Sequence, residues 1–219
     1  MNIVITGANR GIGLALTKFY RANGHNVFSV VRNPTRSLVE LGANVVNGID
    51  VCVESDITKL AKKLSDVSID ILINNAGLLI PDDIGDVLTV DVQQQLEVNA
   101  LGPLRVTKAL LPYLGENAKV AIITSRLGSM SDNSSGGYYG YRMSKAAVNA
   151  FGVSLAHDVR PHGISVAILH PGFVRTDMTG GHGQIEADEA ASALAERIEE
   201  LSLSASGQFL HMNGERLAW

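Results

Sequence analysis

Short apolar runs rich in Val and Ile alternate along the chain with longer segments in which apolar residues recur at helical spacing. The runs predict seven strands, over about residues 2–6, 27–31, 44–49, 69–73, 119–124, 164–169 and 207–211. The intervening segments predict helices over about 11–22, 56–66, 91–114, 139–159 and 187–201. Because strands and helices alternate, we expect a parallel sheet with helices on both faces.

Turn residues mark the ends of several elements. Asn23-Gly24 predicts the end of the first helix, and His170-Pro171-Gly172 predicts the end of the sixth strand. Gly102-Pro103 is expected to bend the long segment 91–114. No linker or internal repeat divides the chain, so we predict a single Rossmann-type, doubly wound α/β domain over residues 1–219. A ligand is then expected beyond the carboxyl ends of the strands.

Composition narrows the class of protein. Hydrophobic residues make up 46% and charged residues 18%, which excludes a disordered chain. The net charge of -4 provides no basic surplus for nucleic acid or an anionic membrane, so we expect neither partner. The single cysteine, Cys52, has no partner for an internal disulfide, and the first strand begins too early to leave room for a signal peptide. We therefore expect a cytoplasmic protein.

A Gly-rich turn follows the first strand and opens the first helix. Its sequence, Thr6 to Gly13, has the spacing T-G-x-x-x-G-I-G. Such a string alone favours a plain turn, but its place between a strand and a helix predicts a nucleotide site, with phosphates at the helix N-terminus. The predicted cofactor contacts in this turn are Gly7, Asn9, Arg10, Gly11, Ile12 and Gly13.

Five more segments complete a family pattern. They are Asn74–Gly77 after the fourth strand, Asn99 in a helix, Ser125 after the fifth strand, the Y-x-x-x-K segment Tyr141–Lys145 and the P-G-x-V-x-T segment Pro171–Thr176. Together with the Gly-rich turn, they resemble in order and spacing the short-chain dehydrogenase/reductase family over nearly the whole chain. Gly207–Leu210 and Trp219 make the C-terminal end similar to the subgroup of the bacterial C-factor and the fly carbonyl reductase sniffer.

The resemblance implies an oxidoreductase that interconverts a carbonyl and a secondary alcohol. Tyr141 would exchange a proton with the substrate oxygen, and Lys145, which shares its helix face, would hold the nicotinamide ribose. A tyrosine hydroxyl normally titrates near pH 10, and we expect the neighbouring ammonium to lower that pKa. Asn99 would hold a water molecule in a proton relay to Lys145. The alternative for Asn99 is a structural role, in which its polar side chain bonds backbone groups at a helix kink.

The catalytic serine is predicted to be Ser125. Four serines in the loop that follows are rivals: Ser129, Ser131, Ser134 and Ser135. Ser125 is preferred because it directly follows a strand, where a hydroxyl can stabilise charge on the substrate oxygen. Arg126 stands where the family more often has a small residue, so we expect the entrance to the substrate site to differ from that of most family members.

The family pattern also implies contacts with the rest of the cofactor. Asp50 and Val51 would contact adenine, although helix capping is an alternative for Asp50. Near the nicotinamide, Gly172 and Val174 would line the ring and Thr176 would bond the carboxamide. The remaining predicted contacts are Asn75, Ala76 and Gly77 beside the adenine ribose, Tyr141 and Lys145, and Pro171.

The charges near the second strand indicate NADP(H) rather than NAD(H). An NAD site needs an acidic residue at the end of that strand, but the first acidic residue of the chain is Glu40. Arg32 lies at that strand end and Arg10 lies in the Gly-rich turn, where both could bind a 2′-phosphate. Two solvated arginines are the alternative.

These inferences predict an NADP(H)-dependent enzyme with a small-molecule carbonyl or alcohol substrate. A nucleotide-sensing or signalling protein of the same fold is the alternative. The six histidines lack metal-ligand spacing, so no metal is expected, and His170 is interpreted as a packed residue at a strand end. Members of the family often pair through two long helices, so we expect a homodimer. The Gly-rich loop 176–186 is a candidate lid.

Overall fold

A computed structural model describes residues 1–219 and contains one seven-stranded sheet. The strands are β1 (Asn2–Thr6), β2 (Asn26–Val30), β3 (Asn44–Val46), β4 (Ile69–Asn74), β5 (Leu114–Ile123), β6 (Ser165–His170) and β7 (Phe209–His211). The helices are α1 (Gly11–Ala22), α2 (Arg36–Glu40), α3 (Glu54–Lys63), α4 (Thr89–Leu96), α5 (Gly102–Leu110), α6 (Tyr139–Val159) and α7 (Ala187–Glu199). None of these helices is long and apolar enough to cross a membrane.

The strand order is β3-β2-β1-β4-β5-β6-β7, and every neighbouring pair is parallel. The chain first builds the sheet outward from β1 to β3 and then returns to place β4 on the other side of β1. In such a sheet the order reverses between β1 and β4, which opens a crevice at the carboxyl ends of these strands. The predicted single-domain, doubly wound parallel fold is confirmed.

Each face of the sheet has its own hydrophobic core, because successive strand residues point to opposite faces. Ile3 and Ile5 of β1 belong to the core that includes apolar side chains of α1 and α7. Val4, between them, belongs to the core that includes side chains of α3, α5 and α6. All three residues are fully buried, as expected for strands covered by helices on both sides.

Several predicted boundaries are wrong, and backbone conformation explains two of them. The third strand stops at Val46 because Gly48 has a φ of +71°, which does not continue a strand. The seventh strand begins only at Phe209, after Gly207 with a φ of +81°. The short helix α2 was not predicted. Its N-cap is Thr35, whose hydroxyl accepts a hydrogen bond from the Leu38 N–H.

The long predicted helix 91–114 is interrupted before Gly102-Pro103. Residues Glu97–Leu101 form a π-helical turn between α4 and α5, and the Gly102 N–H donates to the Glu97 carbonyl. Pro103 has no N–H to bond the carbonyl of Asn99, as residue i+4 of an α-helix would. The missing bond explains why the helix widens at Asn99, and π-turns of this kind occur often at functional sites.

Candidate active site

A cleft of about 310 Å³ opens at the carboxyl ends of the strands. All the predicted cofactor contacts line it except Gly172 and Val174. Val174 is buried and forms a bridge with Ile185, while Gly172 faces the side chains of Ile185 and His211. Both positions pack against other parts of the protein, and the predicted contact of these residues with the nicotinamide stays a prediction. Ser125 and Asn99 also lie outside the cleft lining.

The Gly-rich turn packs tightly against the end of β4. Gly7 has a φ of +66°, and a Cβ atom there would lie 2.8 Å from the Ala76 Cα. A Cβ on Gly13 would lie 2.3 Å from the Gly7 carbonyl oxygen, so no larger residue fits either position. The N-cap of α1, Arg10, makes no side-chain capping bond, and Gly11 at the first helical position lines the cleft. This uncapped N-terminus fits the phosphates of a dinucleotide.

Asn75 joins the ends of β1 and β4. Its side-chain amide donates to the carbonyl oxygens of Thr6 at 3.0 Å and Gly7 at 3.2 Å. In return, the Thr6 hydroxyl accepts hydrogen bonds from the backbone N–H groups of Asn75 and Ala76, each at 3.1 Å. These bonds fix the Gly-rich turn relative to the segment Asn75–Gly77, which forms the opposite wall of the cleft.

Tyr141 and Lys145 project from α6 and are both buried. Burial raises the pKa of Tyr141 to about 12, and a hydrogen bond with the Ser125 side chain opposes this shift. The predicted lowering of the Tyr141 pKa is therefore wrong, because the cost of burying a phenolate dominates. Burial also lowers the pKa of Lys145 to about 8. The Lys145 Nζ lies 5.6 Å from the centre of the Tyr141 ring and donates to the Ile123 carbonyl at 2.9 Å.

Ser125 lies two residues beyond β5 and is half-buried. Its hydroxyl accepts a hydrogen bond from the Leu127 N–H at 3.2 Å, and its side chain influences the pKa of Tyr141. The rival serines have other surroundings: Ser129 is buried and accepts from the Asp132 N–H, and Ser131 donates to the carbonyl of Trp219 at 2.6 Å. Ser134 and Ser135 are exposed. Among these serines, Ser125 is the one whose side chain influences the pKa of Tyr141.

Asn99 is buried in the π-turn, and its side chain is fully engaged. The amide nitrogen donates to the Leu78 carbonyl at 2.7 Å and to the Ser144 hydroxyl at 2.9 Å. The amide oxygen accepts from the Leu78 N–H at 2.7 Å. The side chain thus holds the wall of the cleft, and the role of Asn99 in a proton relay stays a prediction.

Two arginine–aspartate pairs border the end of the cleft near β2. Arg32 lies 3.6 Å from Asp50, and Arg10 lies 3.5 Å from Asp177. Both arginine side chains are more than half exposed, so these contacts are weak. Asp50 also accepts a hydrogen bond from the Cys52 N–H but does not cap α3, whose N-cap is Val53. The guanidinium groups fit a phosphate at this end of the cleft.

The loop after β6 folds back on itself beside the cleft. The Arg175 N–H donates to the Ile185 carbonyl at 2.9 Å, and the Gln184 N–H donates to the Phe173 carbonyl at 2.8 Å. These bonds close the base of the candidate lid 176–186. Its residue Met178 lines the cleft, with its Cε 3.7 Å from where a Cβ on Gly77 would lie.

His170 packs at the end of β6, as its interpretation predicted. Its ring meets that of His211 edge to face, with 5.1 Å between the ring centres. Burial, followed by the charges of His211, Arg126 and Lys145, lowers the pKa of His170 to about 3. His170 is therefore uncharged near neutral pH. The unusual Arg126 lies 3.4 Å from Asp132 and 3.8 Å from Glu215.

Sequence reasoning missed part of the cleft. Some of the missed residues lie at strand ends, where the position itself is a signal that could have found them. Gln94 of α4 and Val98 of the π-turn carry no such signal. The missed lining residues are Val30, Val31, Ile49, Leu78, Gln94, Val98, Ile123, Thr124, Asp177 and Met178.

The fold and the cleft together define a dinucleotide-binding protein of the doubly wound class, with a buried tyrosine–lysine pair beside the cleft. A family model for short chain dehydrogenases matches residues 1–187, and the chain belongs to that family. It is 38% identical over 223 residues to 1-hydroxy-2-glutathionyl-2-methyl-3-butene dehydrogenase of Rhodococcus sp. (strain AD45), with 99% of each chain covered. It is 43% identical over 154 residues to the C-signal of Myxococcus xanthus, covering 69% of this chain and 93% of that protein.

Solved structures show the same likeness. Carbonyl reductase Sniffer of D. melanogaster has a TM-score of 0.91 at 30% identity, covering 100% of this chain and 99% of that chain. An NADPH-bound carbonyl reductase from chicken fatty liver has a TM-score of 0.89 at 30% identity, covering 100% and 98%. The resemblance to the C-factor and sniffer subgroup is confirmed.

Proposed function

We propose that this protein is an NADP(H)-dependent oxidoreductase that interconverts a carbonyl and a secondary alcohol. The observation that carries the proposal is the buried pair Tyr141 and Lys145, which lines the cleft with the Lys145 Nζ 5.6 Å from the centre of the tyrosine ring. These two side chains lie where the cleft reaches the end of β5. Family membership supports the same reaction class.

The proposed cofactor is NADP(H), bound by the single domain 1–219. The Gly-rich turn and the uncapped N-terminus of α1 would bind its pyrophosphate, and Arg10 and Arg32 would bind its 2′-phosphate. No acidic residue stands at the end of β2, where an NAD site would need one. The NADPH-bound state of the chicken carbonyl reductase supports this choice.

When bound, NADPH would supply a hydride to the carbonyl carbon of the substrate. Tyr141 is protonated at neutral pH, so its hydroxyl would donate a proton to the carbonyl oxygen. The Ser125 hydroxyl would donate a hydrogen bond to the same oxygen and stabilise its developing charge. Lys145 would favour the phenolate that Tyr141 becomes, because an opposite charge nearby stabilises the ionised form.

The alternative is a nucleotide-sensing or signalling protein that has little catalytic activity. The C-signal relative motivates this alternative. A measurement of NADPH consumption distinguishes the two functions. The panel contains small ketones, aldehydes, quinones and steroids, together with a glutathione-conjugated alcohol assayed with NADP⁺, because the Rhodococcus relative carries such a substrate in its name.

Tyr141→Phe is the control for this measurement. The variant keeps the ring but loses the transferable proton, so turnover should fall by at least about 10²-fold while NADPH still binds. Ser125→Ala should also lower turnover, whereas Ser131→Ala and Ser134→Ala should behave like wild type. If NADPH binds but no substrate of the panel consumes NADPH or reduces NADP⁺, the result favours the signalling alternative.

We also propose a cytoplasmic homodimer whose partner is a second copy of the chain. The exposed side chains of Leu101, Leu104 and Leu111 on and beside α5 supply an apolar surface for pairing. Sedimentation velocity should show a dimer in wild type and a monomer in Leu104→Glu. A wild type that sediments as a monomer at all concentrations would exclude the pairing.

A further inference from the structure

Helix α6, which carries Tyr141 in its first turn, begins without a cap of its own. The residue before it, Tyr138, has left-handed backbone with φ +53° and ψ +40°, and its side chain makes no capping bond. Residues that cap a helix usually have extended backbone and a short polar side chain. The first amide groups of α6 therefore need acceptors from another part of the chain.

Asp82, in the loop after β4, supplies these acceptors. Its carboxylate accepts hydrogen bonds from the backbone N–H groups of Tyr139 at 2.5 Å and Gly140 at 3.1 Å. Its main-chain carbonyl accepts a third bond from the Tyr138 N–H at 2.8 Å. A carboxylate at this place also interacts favourably with the positive end of the helix dipole.

Gln95 of α4 fixes the segment that carries Asp82. Its side-chain amide accepts from the Ile80 N–H at 3.0 Å and donates to the Ile80 carbonyl at 3.3 Å. Gln95 is fully buried, and a Cβ on Gly140 would lie 2.4 Å from its Nε2, so it also packs against α6. Asn99 holds Leu78 in the same two-bonded way. Every second residue of this segment is thus held by hydrogen bonds: residue 78 to the π-turn, residue 80 to α4 and residue 82 to α6.

We propose that Asp82 and Gln95 are positioning residues for proton transfer at Tyr141. Gln95 holds the segment 78–82 on α4, and Asp82 holds the first turn of α6, so that the Tyr141 hydroxyl stays beside Ser125. This inference rests on the proposed function of Tyr141. Neither side chain lines the cleft, so both act through the position of α6. A displacement of about 1 Å can cost roughly 100-fold in rate.

The test compares Asp82→Ala, Asp82→Asn and Asp83→Ala. Asp82→Ala should lower kcat by about 10-fold to 100-fold and leave the KM for NADPH nearly unchanged, because the cofactor contacts are intact. Asp82→Asn keeps one acceptor and should recover part of kcat. Asp83→Ala is the matched control, since the exposed Asp83 side chain accepts a bond from Gly85 and none from α6. It should behave like wild type.

A double-mutant cycle with Tyr141→Phe separates positioning from general damage. If Asp82 acts through Tyr141, Asp82→Ala should add little to the loss already caused by Tyr141→Phe. Amide hydrogen exchange at Tyr139 and Gly140 should also rise in Asp82→Ala. Should Asp82→Ala fail to fold, Gln95→Met takes its place in the kinetic part of the cycle.

Three results would each overturn the inference. They are full additivity of the two rate losses in the cycle, an unchanged kcat in Asp82→Ala, and unchanged amide hydrogen exchange at Tyr139 and Gly140 in that variant. Failure of the proposed function is a separate outcome, because wild type would then neither consume NADPH nor reduce NADP⁺ with any substrate of the panel. In that case hydrogen exchange still tests whether Asp82 holds the first turn of α6. Unchanged exchange would again overturn the inference.

Discussion

Lys145 is a buried ammonium whose charge the fold must accommodate. Lys145 is 4% exposed, and its Nζ donates one hydrogen bond, to the Ile123 carbonyl. Burial lowers its pKa from 10.5 to about 8. Below pH 8 the lysine is charged in both the folded and unfolded protein, so the folded state carries the full cost of burying the charge. Between pH 8 and pH 10.5 the folded protein loses its proton first, and its stability rises with pH.

Lys145→Met should therefore stabilise the protein at neutral pH without added cofactor. The pKa shift corresponds to about 3 kcal/mol, and the lost hydrogen bond offsets about 1 kcal/mol of that. Urea unfolding should give a variant more stable than wild type by about 2 kcal/mol at about pH 7, with a smaller difference at about pH 10. Lys63→Met, at an exposed lysine, controls for the change of side chain. A difference that does not depend on pH would contradict the argument.

The sequence predicted the residues that family motifs name, but not those that hold them. Tyr141 and Lys145 were found because their spacing on one helix is local. Asp82 lies 57 residues before the amide group that it caps, and nothing near Asp82 in the sequence indicates that contact. The sequence predicts the wrong direction for the pKa of Tyr141. A lysine four residues away does not show how deeply the fold buries the tyrosine hydroxyl.

At the scale of elements, α6 packs closely against the sheet at Gly152. A Cβ on Gly152 would lie 2.7 Å and 2.8 Å from two side-chain atoms of Ile168 and 3.1 Å from the Ile122 Cδ1. This close approach brings the face of the helix that carries Tyr141 and Lys145 towards the end of β5. A larger residue here must push the Ile168 side chain aside, which opposes the usual advantage of replacing glycine within a helix.

Gly152→Ala should destabilise the protein by about 1–3 kcal/mol, because the added methyl group overfills the core. Helix propensity alone predicts the opposite, a gain of about 1 kcal/mol. Urea unfolding distinguishes these expectations. Ala150→Gly, on an exposed position of the same helix, is the matched control and should lose about 1 kcal/mol from propensity alone. A stabilised Gly152→Ala variant would show that the sheet can yield at this contact.

Helices with a long, regular pattern of apolar residues have the bounds that the sequence predicts. Elements whose presence depends on a single backbone hydrogen bond do not follow from the sequence pattern. Helices α1 and α6 match their predicted bounds. The π-turn was not expected because it depends on one missing N–H group, that of Pro103. The short helix α2 has only five residues, too few for a periodic pattern.

At the scale of the whole molecule, the strand order creates the cleft. All the strands are similarly apolar, so their pattern predicts a parallel sheet but not which strand neighbours which. The order β2-β1-β4 brings Arg32, Gly7 and Asn75 to one edge from three separate parts of the sequence. A ligand bound there contacts both halves of the sheet, so its binding should stabilise the entire fold.

Arg32→Asp should change which coenzyme stabilises and serves the protein. The substitution removes a cation from the cleft and adds an anion beside Asp50, where a 2′-phosphate would bind. Each charge-assisted hydrogen bond contributes roughly 1.5–3 kcal/mol, so the preference for NADPH over NADH in kcat/KM should fall at least about tenfold. In wild type, NADPH at about 100 times its Kd should raise the free energy of unfolding by about 2.7 kcal/mol, and Arg32→Asp should lose much of that gain at the same concentration. Arg36→Asp is the matched control, because Arg36 is exposed, pairs with Glu40 and does not line the cleft.

Arg10→Ala combined with Arg32→Asp should lower the preference for NADPH further, since both guanidinium groups border the same end of the cleft. A wild type that favours NADH, or an Arg32→Asp variant with an unchanged ratio of kcat/KM, would refute the assignment of this end of the cleft to the 2′-phosphate.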